Sequence, residues 1–117
     1  MTVVSRAAPS LSAKQIRSDL GLSRDKMGRI MGVTSKAIEG WEKEDRLPAN
    51  EGRRAMFAQL AEIRTLGLTV FTPDGFTQFL NTPLPTFEHR TALKELEFGH
   101  FDRVLGVLAG IYEGTGH

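Results

Sequence analysis

A chain of 117 residues is long enough for one typical domain or two small ones, and the lack of cysteine excludes disulfides and thiolate metal sites. No stretch approaches the roughly 20 apolar residues of a membrane-spanning helix, so we expect a soluble, cytoplasmic protein with no membrane partner. The net charge of +1 is divided unevenly. Residues 1–54 hold 11 Lys and Arg against 7 Asp and Glu, a balance of +4, whereas the remainder holds 4 against 7, a balance of −3. This asymmetry is typical of a protein with one end that binds a polyanion.

Residues 1–10 show no periodicity and end in a Pro-Ser pair, so a flexible arm is predicted there. The pattern that follows predicts a first helix from a cap at Ser12 to about Leu20. Ile16 and Leu20 fall on one face of this helix, and Gly21 is the expected stop.

The stretch from Ser23 to Glu42 has the pattern of a helix-turn-helix, with predicted helices over 24–31 and 35–43. Two helices that cross steeply need a small residue where they come closest, which is Gly28, and a turn residue tolerant of positive φ, which is Gly32. Thr34 is the expected cap of the second helix. The predicted core positions are Met27, Met31, Val33, Ile38 and Trp41. An ordinary αα-hairpin shares the apolar spacing, but the joint register of cap, glycines and core favours the DNA-binding motif.

A polar loop ending in Pro48 separates this motif from a long predicted helix that begins after a cap at Asn50. Apolar residues at three- and four-residue spacing carry that helix to about Leu66, and Gly67 is the expected stop. Its predicted buried face consists of Met56, Phe57, Leu60, Ile63 and Leu66. The stretch Leu68–Thr72 is predicted to be an extended link between the two halves.

Three further helices are predicted in the C-terminal half. The first covers about 75–80, the second lies between a cap at Thr91 and a stop at Gly99, and the third covers about 101–112. Pro83 and Pro85 exclude a continuous helix between the first two. The side chains expected to face inward are Phe76, Phe79, Leu80, Leu93, Leu96, Phe98, Phe101, Val104, Leu105, Leu108, Ile111 and Tyr112. The chain is therefore predicted to be all-α.

Residues 13–65 resemble the Xre family of phage-repressor-like regulators. The family's cap, turn, recognition-helix end and loop correspond here to Leu22-Ser23, Met31-Gly32-Val33-Thr34, Trp41-Glu42 and Leu47-Pro48. The resemblance implies that the helix beginning at Ser35 lies in the major groove of operator DNA. Because one small unit buries little surface, a homodimer on a two-fold operator is expected.

The side chains expected to contact base edges are Ser35, Lys36 and Glu39. Those expected to contact phosphates are Arg24, Thr34, Lys43 and Arg46. Gly40 occupies a position where related repressors often carry a long reading side chain, so direct readout is expected to depend strongly on Lys36.

The C-terminal half resembles the toxin-binding domain of Xre/MbcA/ParS-type antitoxins. The matching positions are Leu80, Thr82, Pro83, Arg90, Thr91, Leu93, Leu96, Gly99, Val104, Leu108, Ile111 and Gly114. His89 replaces the glycine usual before the arginine, and Ala92 replaces the usual helix-starting proline. The resemblance implies an antitoxin that neutralises a RES-domain toxin, which consumes NAD, and that represses its own operon.

The resemblance also implies a toxin-binding site. Its expected members are Arg90 and the tail residues Tyr112, Glu113, Gly114, Thr115, Gly116 and His117. A frayed terminus is an equally good interpretation of the tail from its composition alone. The predicted organisation is an arm over 1–10, a helix-turn-helix domain over 11–67 and a toxin-binding domain over 68–117.

Two other classes of function are alternatives to an antitoxin. A free-standing Xre-family regulator would use the C-terminal half for dimerisation or ligand sensing. An enzyme is disfavoured because no paired base and nucleophile or phosphate loop is present, so no catalytic residue and no cofactor are predicted. No metal site is predicted either, since His89, His100 and His117 lack ligand spacing.

Overall fold

The computed structural model describes residues 12–115, with the side chain of Thr115 left out. The predicted arm and the tail residues Gly116 and His117 lie outside this range. The helices are α1 Ala13–Asp19, α2 Arg24–Met31, α3 Ser35–Glu44, α4 Glu51–Val70, α5 Pro73–Asn81, α6 Ala92–Glu97 and α7 Phe101–Thr115. A 3₁₀ turn spans Pro85–Phe87, and a single antiparallel bridge joins Leu84 to Arg90. The prediction of an all-α protein is confirmed.

The predicted caps are present, because each of these side chains accepts a hydrogen bond from the backbone N–H three residues later. The donor-to-acceptor distances lie between 2.9 and 3.1 Å. The capping residues are Ser12, Ser23, Thr34, Asn50 and Thr91. Each cap satisfies an N–H that the helix itself leaves unpaired and contributes about 1 kcal/mol. These short-range bonds determine where most of the helices begin.

The predictions for residues 67–70 were wrong. Gly67 does not end α4, which continues to Val70, so only Phe71 and Thr72 of the predicted extended stretch have extended backbone. Gly67 is buried, and the ring of Phe76 occupies the space that a Cβ at position 67 would need. This glycine thus allows α5 to pack closely on α4. The predicted boundary between residues 67 and 68 falls inside a continuous helix.

Helix α5 begins two residues earlier than predicted, at Pro73. The Thr72 hydroxyl accepts a hydrogen bond from the Gly75 N–H at 3.1 Å and caps the helix. Proline suits the first turn of a helix because its missing N–H would have no intrahelical partner there.

A single hydrophobic core runs through both halves of the chain. Helix α4 packs along α7 and also contacts α1, α2 and α5, while α2 contacts α6. The largest fully buried side chains come from both halves and are Ile16, Leu20, Met27, Met31, Ile38, Leu60, Ile63, Phe76, Leu80, Phe87, Leu96 and Leu108. One side of α3 and the last described turn of α7 remain on the surface.

Two aromatic residues predicted to point inward are exposed instead. Phe98 is 56% exposed because it lies beyond the last residue of α6, where its ring packs against the guanidinium of Arg90 at 5.3 Å. Tyr112 is 51% exposed and lies at the edge of the buried stripe of α7, beside Leu66 and Thr69 of α4. Within residues 12–115, every helix is too short or too polar to cross a lipid bilayer.

Candidate nucleic-acid interface and C-terminal charged cluster

The crossing of α2 and α3 depends on the two glycines identified in the sequence. A Cβ at Gly28 would lie 2.6 Å from the carbonyl oxygen of Val33, so only glycine permits this approach. Gly32 has φ of 72°, a left-handed conformation that glycine adopts without steric cost. Met27, Met31, Ile38 and Trp41 are buried and Val33 is partly buried, as the motif requires. Two helices joined by a glycine turn therefore pack closely on each other here, as the sequence pattern predicts.

One face of α3 is turned outward. Ile38 and Trp41 anchor the helix in the core, and the opposite face carries Lys36, Gly40 and Lys43. These three residues and Glu39 line a shallow groove. Neither lysine forms an ion pair within the described part of the chain. Both ammonium groups are thus available to an external anion.

A second open groove lies between the N-terminal ends of α2 and α3. Arg24 and Asp25 line it from α2, and Ser35 and Glu39 line it from α3. Glu39 lies at both grooves, so the predicted DNA-contacting residues Arg24, Ser35, Lys36, Glu39 and Lys43 share one continuous surface. The structure therefore brings most of the predicted DNA site together.

A buried carboxylate behind this surface was missed by the sequence analysis. The Glu42 side chain is 3% exposed, and its oxygens accept hydrogen bonds from Arg17 at 2.5 and 3.1 Å and from Arg24 at 3.0 Å. The hydrogen bond from Arg17 has the largest effect in lowering the pKa of Glu42; burial opposes it, and Arg24 adds to the lowering. Arg24 is consequently held in position at the groove rather than projecting freely.

The remaining two predicted phosphate contacts already have partners within the chain. The Thr34 hydroxyl accepts the Ala37 N–H at 3.1 Å and caps α3. Arg46 donates from Nε to Glu44 at 2.5 Å, on an exposed stretch just past the end of α3. Pairing with Glu44 offsets part of the positive charge of Arg46.

A second buried carboxylate organises the C-terminal half. Glu95 is fully buried and accepts hydrogen bonds from Arg90 Nε at 2.5 Å and Arg103 Nη1 at 2.7 Å, with His100 Nδ1 at 3.1 Å. The bond from Arg90 lowers the pKa of Glu95 most, burial raises it, and His100 lowers it further. The exposed Glu88 forms ion pairs with Arg90 at 3.0 Å and with Arg103 at 3.2 Å. We call Glu88, Arg90, Glu95, His100 and Arg103 the charged cluster.

The turn before Arg90 has an unusual backbone. Glu88 and His89 have φ of 52° and 66°, and the His89 N–H donates to the Leu84 carbonyl at 2.9 Å. Since glycine adopts this left-handed region without cost, the backbone accounts for the glycine usual at the position of His89 in the resembling family.

The predicted toxin-binding residues lie in two separate places. Arg90 belongs to the charged cluster near the start of α7, whereas Tyr112, Glu113 and Gly114 are exposed in its last described turns. Nine residues of helix separate Arg103 from Tyr112, which corresponds to about 14 Å. Arg90 and the described tail residues Tyr112, Glu113 and Gly114 therefore lie apart.

Comparisons with known proteins found a shared fold. This chain is similar to a chain in the crystal structure of the M. tuberculosis MbcT-MbcA toxin-antitoxin complex, with a TM-score of 0.70 and 20% sequence identity. The similarity covers 87% of this chain and 91% of that chain. No protein-family model matches the chain, and no curated protein matches it. The all-α fold implied by the resemblance to MbcA-type antitoxins is thus confirmed over most of the chain.

Proposed function

We propose that this chain is an antitoxin, a binding protein without catalytic activity of its own. It binds and neutralises a cognate RES-type toxin that consumes NAD, and it represses its own operon by binding operator DNA as a homodimer. The observation that carries the proposal is the fold shared with a chain of a toxin-antitoxin complex across 87% of the sequence. The proposed operator binding is supported by the predicted helix-turn-helix of α2 and α3.

The DNA-binding part of the proposal is supported by the surface of α2 and α3. Lys36 and Lys43 offer two cations that form no ion pair with residues 12–115, and Arg24 stands at the edge of the same surface. Ser35 and Lys36 lie in the first turn of α3, the part of a recognition helix that reaches base edges. We assign base contacts to Ser35, Lys36 and Glu39, and phosphate contacts to Arg24, Thr34, Lys43 and Arg46.

The toxin-binding part is supported by the two exposed regions of the C-terminal half. Arg90 presents a guanidinium whose orientation is fixed by Glu88 and Glu95, and the aromatic ring of Phe98 packs against it. A fixed cation beside an exposed aromatic ring is typical of the few residues that dominate protein interfaces. The tail from Tyr112 to His117 forms the second contact.

Co-expression with the toxin tests the proposal. Cells that make the toxin should survive when this chain is present, and the two proteins should copurify. A truncation that removes residues 112–117 should keep operator binding but lose protection. Survival with the truncated chain would rule out a role for the tail. If the full chain binds its own upstream DNA but neither copurifies with the toxin nor protects, the free-standing regulator is the correct function.

A further inference from the structure

An open groove of about 490 Å³ lies where the two halves of the chain meet. It is bordered by the end of α2, the start of α4 and the end of α6. Its apolar lining includes Ile30, Met56 and Phe98. None of the described residues that line it belongs to the predicted DNA contacts. The groove therefore uses different residues from those assigned to operator binding.

Phe98 leaves apolar surface uncovered in this groove. At 56% exposure it is the most exposed large hydrophobic residue in the described part of the chain. Its ring centre lies 5.3 Å from the guanidinium carbon of Arg90 and 6.0 Å from Lys94 Nζ. Attraction between a cation and an aromatic ring is stronger when water is excluded. A partner that covers this ring would therefore remove apolar surface from water and strengthen both contacts.

The groove is positively charged. Arg53 donates to two backbone carbonyls at the end of α2, at 3.3 and 3.1 Å, and it forms no ion pair with residues 12–115. The Arg29 side chain is 57% exposed and comes only within 3.9 Å of Glu97. Glu97 is the acidic residue among those that line the groove, and Lys94 pairs with it at 3.2 Å. Three cations thus surround one carboxylate, so the groove attracts acidic groups.

The position of the groove favours the toxin as its occupant. Arg90 and the tail from Tyr112 to His117 are far fewer than the roughly 20–30 residues that each partner contributes to a stable interface. Because Phe98 both contacts Arg90 and lines the groove, the groove adjoins the part of the proposed toxin-binding site at Arg90. The apolar lining disfavours DNA, whose phosphates bind cationic and polar groups.

We propose that this groove is a second docking site for the toxin and that it binds an acidic segment carrying an apolar side chain. The inference rests on the proposed antitoxin function and extends the toxin interface to the first half of the chain. The apolar side chain packs on Met56 and Phe98, and carboxylates beside it pair with Arg29 and Arg53. The toxin then contacts both halves of the chain at once.

The test uses Phe98→Ala and Arg29→Glu in the full chain. Their matched controls are Leu47→Ala and Lys14→Glu, which change an exposed apolar residue and an exposed cation outside the groove. The probe is the toxin that copurifies with the natural chain, and its dissociation constant is measured by interferometry at several salt concentrations. Binding to the upstream duplex, molecular mass in solution and thermal unfolding are measured for every variant.

Phe98→Ala and Arg29→Glu should each weaken toxin binding about ten-fold or more, because each removes a main contact of the groove. The effect of Arg29→Glu should shrink as the salt concentration rises, since salt screens exposed charges. The two control variants should bind the toxin like the natural chain. Phe98→Ala and Arg29→Glu should match their controls in duplex binding, mass and melting temperature.

Toxin binding as tight in Phe98→Ala and Arg29→Glu as in their controls would overturn the inference and leave the proposed function standing. A fall in mass to that of a monomer would assign the groove to a second copy of the chain. Weaker duplex binding with unchanged toxin binding would assign it to DNA. If Phe98→Ala melts well below Leu47→Ala, Arg29→Glu alone decides. If the natural chain copurifies with no toxin, the proposed function is wrong and the inference fails with it.

Discussion

Arg17 of α1 and Glu42 of α3 are joined by two hydrogen bonds, at 2.5 and 3.1 Å, although 25 residues separate them in the chain. The pair fixes the C-terminal part of α3 to α1. Because the Glu42 side chain is 3% exposed, its charge depends on this partner rather than on water.

Arg17→Ala should therefore destabilise the fold, because it removes the main partner of a nearly buried carboxylate. We expect a loss of about 1–3 kcal/mol in the free energy of unfolding, measured by urea denaturation. Lys14→Ala is the control, since Lys14 is exposed on the same helix and should change stability by less than about 0.5 kcal/mol. Equal urea midpoints for Arg17→Ala and Lys14→Ala would show that the ion pair contributes nothing to the stability of the fold.

Stability should fall in acid because Glu42 and Glu95 have pKa values below the ordinary 4.5 when the chain is folded. The unfolded chain binds protons more readily at these two groups, so their contribution is complete above about pH 4.5 and is lost as the pH falls through the folded pKa values. Urea unfolding from about pH 7 to about pH 3 should show this loss.

The control for this pH dependence is Glu62→Gln, on the exposed surface of α4. Glu95→Gln should be less stable near neutral pH and show a shallower decline in acid. If Glu95→Gln and Glu62→Gln decline as steeply as the natural chain, the charged cluster is not the source of the acid sensitivity.

Lys36→Ala and Arg24→Ala should weaken DNA binding in different ways. Lys36→Ala should cost about 1–3 kcal/mol on the preferred operator and little on scrambled DNA, because it removes a base contact. Arg24→Ala should weaken binding to all duplexes and lower the salt dependence by about one ion, as expected for a phosphate contact. Identical losses on operator and scrambled DNA for both variants would contradict this assignment.

Gly28→Ala should disturb the packing of α3 on α2, since its Cβ would collide with the backbone at Val33. Overpacking of this kind costs about 1–3 kcal/mol. Gly110→Ala, on the open face of α7, should instead stabilise the chain by up to about 1 kcal/mol. Calorimetry on both variants measures the difference, and a Gly28→Ala variant as stable as the natural chain would refute the close crossing.

Local features of the fold were predictable from the sequence. The caps at Ser23 and Thr34 and the turn at Gly32 act within three or four residues, so the sequence itself displays them. Features that depend on distant residues were not predictable. Gly67 was predicted to end α4 because the sequence around it does not indicate that the ring of Phe76 packs against it.

The same limit applies to the candidate site. The roles of the α3 lysines were expected from the family resemblance, whereas the burial of Glu42 and Glu95 was not predicted. Their burial depends on arginines from elsewhere, such as Arg17 for Glu42. The exposure of Phe98 was not predictable from the local sequence either, since it depends on where α6 ends relative to Arg90.

The unbroken course of α4 has a mechanical consequence. Arg53 near its start donates hydrogen bonds to carbonyls at the end of α2, and Gly67 near its end seats Phe76 of α5. A helix of this length is about 30 Å long. Helix α4 is continuous between the two halves of the chain and sets the distance between them. Any macromolecule seated on the C-terminal half is consequently held at one fixed distance and orientation from whatever lies beneath α3.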